Sequence, residues 1–164
     1  MNISVKELVG RSNTTSTGFI AYSADGVNWT QVNIPGTVAF GSVEFYNGKF
    51  YLGDGATSGI GQQSFGRVYT INANFDIGSF AQIISASVSP VADAENGIVN
   101  FKVYNGILYM FQGLNRLSCY RLVGDRFLLV PWNQPATGNR MAVVFNNDLL
   151  VSGGAFLFST MKNY

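Results

Sequence analysis

The sequence contains no histidine and only one cysteine, and both absences exclude chemistry. Without histidine the chain lacks the commonest general base, the commonest side-chain metal ligand and any histidine-dependent catalytic triad. Cys119, as the single cysteine, can form neither an intramolecular disulfide nor a cysteine metal cluster. Its apolar neighbours predict a buried free thiol. We therefore expect no catalytic residues, no metal site and no cofactor.

Charged residues are also scarce, at 12% of the chain, against about 25% in an average domain. The formal net charge is +1 and there is no basic run, so nothing attracts phosphate and nucleic acid is not an expected partner. The sequence lacks an apolar stretch of about 18 residues, which argues against membrane insertion. It also lacks the basic and apolar regions of a signal peptide, so we expect synthesis in the cytoplasm without secretion.

The residues that are present predict one domain, 1–164, because 47% are hydrophobic and 14% aromatic, enough for a substantial core. One pattern recurs at 43–55, 101–113 and 142–154: an apolar segment, an asparagine-containing pair and a second apolar segment. Each copy is typical of a β-hairpin. In the first two copies, type I′ turns are predicted at Asn47-Gly48 and Asn105-Gly106.

The spacing of this pattern predicts the architecture. Val103 and Val144 are 41 residues apart, and Phe45 and Val103 are 58 apart, with the excess in two polar loops. A four-stranded repeat of about 40 to 50 residues is typical of a propeller blade. We therefore predict an all-β, propeller-like array of four-stranded antiparallel blades, with partial blade 1–33, full blades 40–85 and 98–132, and partial blade 139–164. A β-sandwich is the alternative fold.

Residues 22–29 carry a family resemblance. The run Ser23-Ala24-Asp25-Gly26, followed by Trp29, resembles the Asp-box of sialidase-like β-propellers, and Gly153-Gly154 after an apolar strand is similar to Kelch repeats. In the Asp-box family the serine and aspartate bond the backbone of a turn, and the tryptophan packs between blades. The resemblance therefore implies that Ser23, Asp25, Gly26 and Trp29 form a structural turn rather than a catalytic site.

Sialidase-like catalysis would need a clustered set of arginines and a tyrosine nucleophile with a glutamate partner. Glu44 lies beside Phe45 and Tyr46, but it alternates with apolar residues and is expected to face solvent. Asp93 and Glu95 share a polar loop, which provides no dry surroundings to raise the pKa of one carboxyl group. A glycoside hydrolase is therefore the least favoured function, and we expect a protein that is not an enzyme.

Aromatic residues supply the binding candidates. Tyr46 and Tyr104 occupy matched positions in the first two repeats, with Phe145 in the third, and stacked rings at repeated sites suit a multivalent glycan binder. The alternative is that these rings fill the space between blades. Trp132 follows Pro131 where a strand gives way to a loop. The candidate ligand-binding residues are Trp132, Tyr46 and Tyr104.

Two classes of function remain. The first is a non-enzymatic structural or host-contacting component of a bacteriophage particle, as a tail, fibre or head-decoration protein that assembles with other virion proteins or with itself. The low charge and the abundant asparagine, glycine and serine favour this class. The second is an oligomeric propeller lectin that binds a surface glycan. The first predicts protein assembly without affinity for free sugar, and the second predicts weak, aromatic-dependent sugar binding.

Overall fold

The computed structural model describes residues 19–34, 40–54, 67–83, 98–112, 118–130, 139–153 and 157–161. These residues form antiparallel strands and one short 3₁₀ helix, Ile77–Ser79. Within the described ranges, no helix is long and apolar enough to cross a membrane. The predicted all-β class is confirmed. Residues 1–18 of the first predicted partial blade, and the binding candidate Trp132, lie outside the described residues.

The strands pair into one hairpin and three larger sheets. The hairpin contains β1 (Phe19–Tyr22) and β2 (Thr30–Asn33). Sheet I contains β3 (Phe40–Tyr46), β4 (Lys49–Asp54), β5 (Val68–Asn72) and β6 (Ala81–Ile83). Sheet II contains β7 (Ile98–Tyr104), β8 (Ile107–Gln112), β9 (Ser118–Val123) and β10 (Arg126–Leu129). Sheet III contains β11 (Asn139–Phe145), β12 (Asp148–Gly153) and β13 (Leu157–Met161).

Sheets I and II are four-stranded and antiparallel, which confirms this part of the prediction. In every sheet the strands follow one another in chain order, so each connection joins neighbours in space. The pairing of the first two strands shifts register at the same place in all three sheets: Phe40/Ser42, Ile98/Asn100 and Asn139/Met141. Such an irregularity bends a strand and increases its twist. The three sheets therefore share backbone geometry as well as a sequence pattern.

The apolar core lies in three layers, one at each junction along the chain. The first joins hairpin β1–β2 to sheet I and includes Ile20, Ile34, Leu52, Tyr69 and Ile71. The second joins sheets I and II and includes Tyr51, Val68, Phe101, Leu108, Met110 and Phe127. The third joins sheets II and III and includes Tyr109, Phe111, Cys119, Leu149 and Val151. Sheets I and II consequently each pack against a neighbouring element on both faces.

Phe75 holds hairpin β1–β2 on sheet I. Its ring stacks between Tyr22 and Phe50, with ring centroids 4.0 and 4.8 Å away. Its backbone has a φ of 58°, and such a conformation costs a non-glycine residue about 1–3 kcal/mol. Burial of the ring, which is 6% exposed, offsets this strain.

The sheets approach one another most closely at their first strands. Strand β3 lies against β7, and β7 lies against β11. The three first strands are therefore consecutive neighbours, and the hairpin turns that end them lie near one another.

Candidate functional site

Three equivalent turns end the first strands of sheets I, II and III. The two φ angles are 48° and 78° in Asn47-Gly48, and 49° and 72° in Asn105-Gly106. In the third turn, Asn146-Asn147, they are 49° and 62°. Positive φ at both central residues is what a type I′ turn requires, and asparagine and glycine adopt it most readily.

A tyrosine hydroxyl ties each of the first two sheets to the next one. The Tyr46 hydroxyl donates a hydrogen bond to the carbonyl oxygen of Gly106 at 2.7 Å. The Tyr104 hydroxyl donates to the carbonyl oxygen of Asn147 at 3.0 Å. Both acceptors are the second residue of the neighbouring turn, so the same type of hydrogen bond occurs at both sheet junctions. Phe145 holds the tyrosine position in sheet III and has no hydroxyl to donate.

Glu44 lies on the face of sheet I that packs on sheet II, so the expectation that it lies on a solvent face is wrong. Its Oε2 lies 3.5 Å from the Nζ of Lys102, and the Glu44 side chain is 25% exposed. Alternation along a strand separates core from solvent only where one face of the sheet is open, and sheet I has an element packed on each face. The ion pair is partly exposed and contributes at most about 1 kcal/mol, so it orients the two sheets more than it stabilises them.

The two tyrosine candidates for glycan binding lie at these sheet junctions. Tyr104 is 6% exposed, so its ring offers little open surface for a sugar. Tyr46 is half-buried and packs against the core between sheets I and II. On the same face of sheet I, Tyr51 is buried, and this burial raises the pKa of its phenol. These positions support the interpretation that the rings fill the space between sheets.

The predicted turn at Ser23, Asp25 and Gly26 is held by side chains. The Ser23 hydroxyl accepts a bond from the Gly26 N–H at 2.8 Å and donates one to Asp25 at 2.9 Å. The Asp25 carboxylate also accepts the N–H groups of Val27 and Asn28, each at 2.8 Å. The Asn28 N–H bond is the main cause that holds the pKa of Asp25 well below its usual 3.8.

Trp29 differs from the packing that the Asp-box resemblance implies. Its side chain is 45% exposed, so it is not enclosed between sheets. The cause is local: hairpin β1–β2 buries Ile20 and Ile34 against sheet I, whereas Trp29 follows the turn on the exposed side. Its indole thus contributes little to the described core.

An apolar surface on sheet III was missed by the sequence-based prediction. Val143 and Phe145 are 39% and 61% exposed, and Val143 pairs directly with Leu150 on the adjacent strand. We call Val143, Phe145 and Leu150 the trailing face of sheet III. In sheet II the equivalent positions are Lys102, Tyr104 and Tyr109, where Tyr104 and Tyr109 are covered by sheet III. The uninterrupted apolar run 142–145 is the sequence signal that indicates this surface.

A further exposed ring lies on sheet I. Phe45, in the first strand of sheet I, is 48% exposed. The equivalent residue of sheet II, Val103, packs into the core between sheets I and II. We call Val43 and Phe45, on the side of β3 that faces away from sheet II, the leading face of sheet I. Phe45 is exposed because the core cluster under hairpin β1–β2 reaches Val43 on β3 but does not include Phe45.

The single cysteine lies in the core. Cys119 is 1% exposed, and burial raises the pKa of its thiol to about 12, so it stays protonated and unreactive at neutral pH. Among the residues that the structure describes, no group of three or more cysteine, aspartate or glutamate side chains could hold a metal ion.

In comparisons with known proteins, no family model and no curated protein matches this chain. Its function must therefore be inferred from the features above: the repeated contacts between sheets and the two exposed apolar faces.

Proposed function

We propose that hairpin β1–β2 and sheets I to III are consecutive blades and part-blades of a β-propeller-like array. The chain order of the sheets, the close approach of their first strands and the recurring hydroxyl-to-carbonyl contacts support this arrangement. In a two-sheet sandwich each sheet usually has one solvated face. Packing of sheets I and II against neighbours on both faces favours blades instead.

On this array we propose a non-enzymatic role in assembly: a structural or host-contacting part of a bacteriophage particle, in the tail, a fibre or the head decoration, made in the host cytoplasm. The observation that carries the proposal is the uncovered trailing face of sheet III, where Val143 and Phe145 expose apolar side chains. Exposed apolar side chains grouped on one sheet face suit a site of protein interaction, and Asp148, which pairs with Phe145, is a polar neighbour of this group. The scarcity of charge, at 12% of residues, suits a surface that packs against neighbouring proteins.

A direct test is immunogold electron microscopy on particles from a host that produces this protein. We expect label on the tail, a fibre or the head at regular positions. Particles without label, from lysates in which the protein is present, would overturn the virion role.

A glycan array tests the lectin alternative. Wild-type protein and the Trp132→Ala variant are compared, with Trp29→Ala as the matched control because it removes the only other tryptophan. The assembly role predicts no bound glycan for any of the three proteins. Reproducible binding that is lost in Trp132→Ala and kept in Trp29→Ala would establish the lectin function instead.

A further inference from the structure

We propose that the trailing face of sheet III binds the leading face of sheet I in a second copy of this chain, head to tail. This inference rests on the proposed assembly function and names the partner as the chain itself. Three observations support it: the composition of β11, the way the chain already packs its own sheets, and the hydrogen bonds at the turns.

The composition of β11 suits a strand that is covered on both faces. Ala142 and its paired residue Val151 are buried against sheet II, at 5% and 0% exposure. On the other face Val143 and Phe145 are equally apolar but exposed, and Val144, near the turn, is exposed to the same extent as Val143. Strands that face solvent on one side normally alternate apolar and polar residues, whereas continuous apolar runs are typical of strands buried on both sides.

The chain already buries this type of surface twice. The face of sheet I that carries Tyr51 packs on the face of sheet II that carries Phe101. The opposite face of sheet II, which carries Tyr109, packs on sheet III in the same way. Among the described sheet faces, two exposed surfaces remain at the first strands: the trailing face of sheet III and the part of the leading face of sheet I around Phe45. They correspond to the first-strand part of the interface that the chain forms internally, because hairpin β1–β2 covers the rest of the leading face. A second copy would therefore continue the packing of first strand against first strand.

The turns match in their polar groups as well. In each internal junction a tyrosine hydroxyl donates to the second residue of the next turn. In the proposed junction Phe145 takes the tyrosine position, and Gly48 is the equivalent acceptor. The Gly48 carbonyl already accepts the N–H of Ala73 at 3.2 Å. Replacement of the donor by an apolar ring therefore leaves no unpaired acceptor in the junction.

Sheet III of one copy would lie beside hairpin β1–β2 of the next copy. It would cover the part of β3 in that next copy that the hairpin leaves open. One composite layer would then contain strands from two copies. Because the two faces differ, the contact is heterologous, and repetition produces either a closed ring or an open filament.

The experiment measures molar mass by size-exclusion chromatography with light scattering, over a concentration series. Wild-type protein is expected to form multimers. Phe145→Lys disables one face and Phe45→Lys disables the other, so each variant alone is expected to be monomeric. An equimolar mixture is expected to form a dimer and nothing larger, because each variant keeps one intact face. Leu129→Lys is the matched control: Leu129 is 56% exposed on β10, in neither face, and this variant should assemble like wild type.

A wild-type protein that stays monomeric at every concentration would overturn the proposal. So would a mixture of folded variants that forms no dimer while the wild type assembles, because the contact would then lie elsewhere. Far-ultraviolet circular dichroism checks the fold of each variant, and Phe145→Ser with Phe45→Ser replaces the lysine pair if either lysine variant is unfolded. A monomeric wild type would reject self-assembly but would leave a virion role with other protein partners intact. Unlabelled particles or sugar binding would reject the virion role, whatever the molar mass of the protein.

Discussion

Substitutions at Gly48 isolate the energetic cost of one backbone conformation. Its φ is 78°, and a Cβ atom built at this position meets nothing within 4 Å. A new side chain therefore has space, and the free energy of unfolding changes mainly because an L-residue is forced into the left-handed region. The third turn provides an internal comparison, since Asn147 occupies the equivalent position with a φ of 62°.

We expect destabilisation to increase from Gly48→Asn to Gly48→Ala and to be greatest for Gly48→Val. The left-handed conformation costs an L-residue about 1–2 kcal/mol, and asparagine less because its side chain bonds locally. A β-branched residue reaches the upper end of about 1–3 kcal/mol for strained backbone. We therefore expect decreases in the free energy of unfolding below about 1 kcal/mol for asparagine, about 1–2 for alanine and about 3 for valine.

Urea unfolding, monitored by tryptophan fluorescence and far-ultraviolet circular dichroism, measures these differences. Lys49→Val is the matched control, because Lys49 is exposed, begins the adjacent strand and does not have positive φ. Its effect should stay within about 0.5 kcal/mol. If Gly48→Val unfolds at the same urea concentration as the parent, the turn is not held at positive φ and the hairpin geometry is refuted.

Three further predictions follow from single contacts. Tyr104→Phe should lower the free energy of unfolding by about 0.5–1.5 kcal/mol through loss of one hydrogen bond, as measured in urea; no change would mean that the bond to sheet III does not form. Cys119 should react with an aromatic disulfide reagent only after denaturation at neutral pH, because its thiol has a pKa of about 12; rapid reaction of the folded protein would contradict its burial. Asp25→Asn should be less stable than the parent above pH 3.8, because the lowered pKa of Asp25 stabilises the folded state there. This difference in stability should be lost as the pH falls below 3.8 and the carboxylate protonates. Urea titrations of both proteins across this range measure the difference, and a pH-independent difference would refute it.

The repeat and its turns could be predicted because they depend on local residues. Positive φ is confined to a few residue types, so Asn47-Gly48 and Asn105-Gly106 indicate hairpins without any knowledge of tertiary contacts. The all-β class followed from three such hairpins. The recurring register shift at the start of each first strand was not foreseen, since it carries no common residue type: Gly41, Val99 and Arg140 lie inside the three shifts.

The surroundings of a side chain were harder to predict than its strand. Alternation placed Glu44 in solvent because the rule assumes one open face, whereas Lys102 of the next sheet lies against it. Phe75 is a poor candidate for positive φ on intrinsic preference. The rings of Tyr22 and Phe50 hold its side chain, and the Asn72 carbonyl accepts its backbone N–H at 3.0 Å. Both cases depend on contacts between segments that are distant in sequence.

The residues of sheets I and II that are equivalent to the trailing face of sheet III bear on what sheet III does. The first position changes from Glu44 to Lys102 to Val143, and its neighbour two residues later changes from Tyr46 to Tyr104 to Phe145. The first two faces combine an ion pair and hydroxyl bonds with apolar packing, so polar contacts orient sheets that the chain already holds together. A sheet face that meets only water is normally polar. The trailing face of sheet III has the reverse composition at these positions, and burial of apolar area is the main favourable term in association between separate molecules. Among the described faces it is therefore better suited to bind a protein surface than to remain in water.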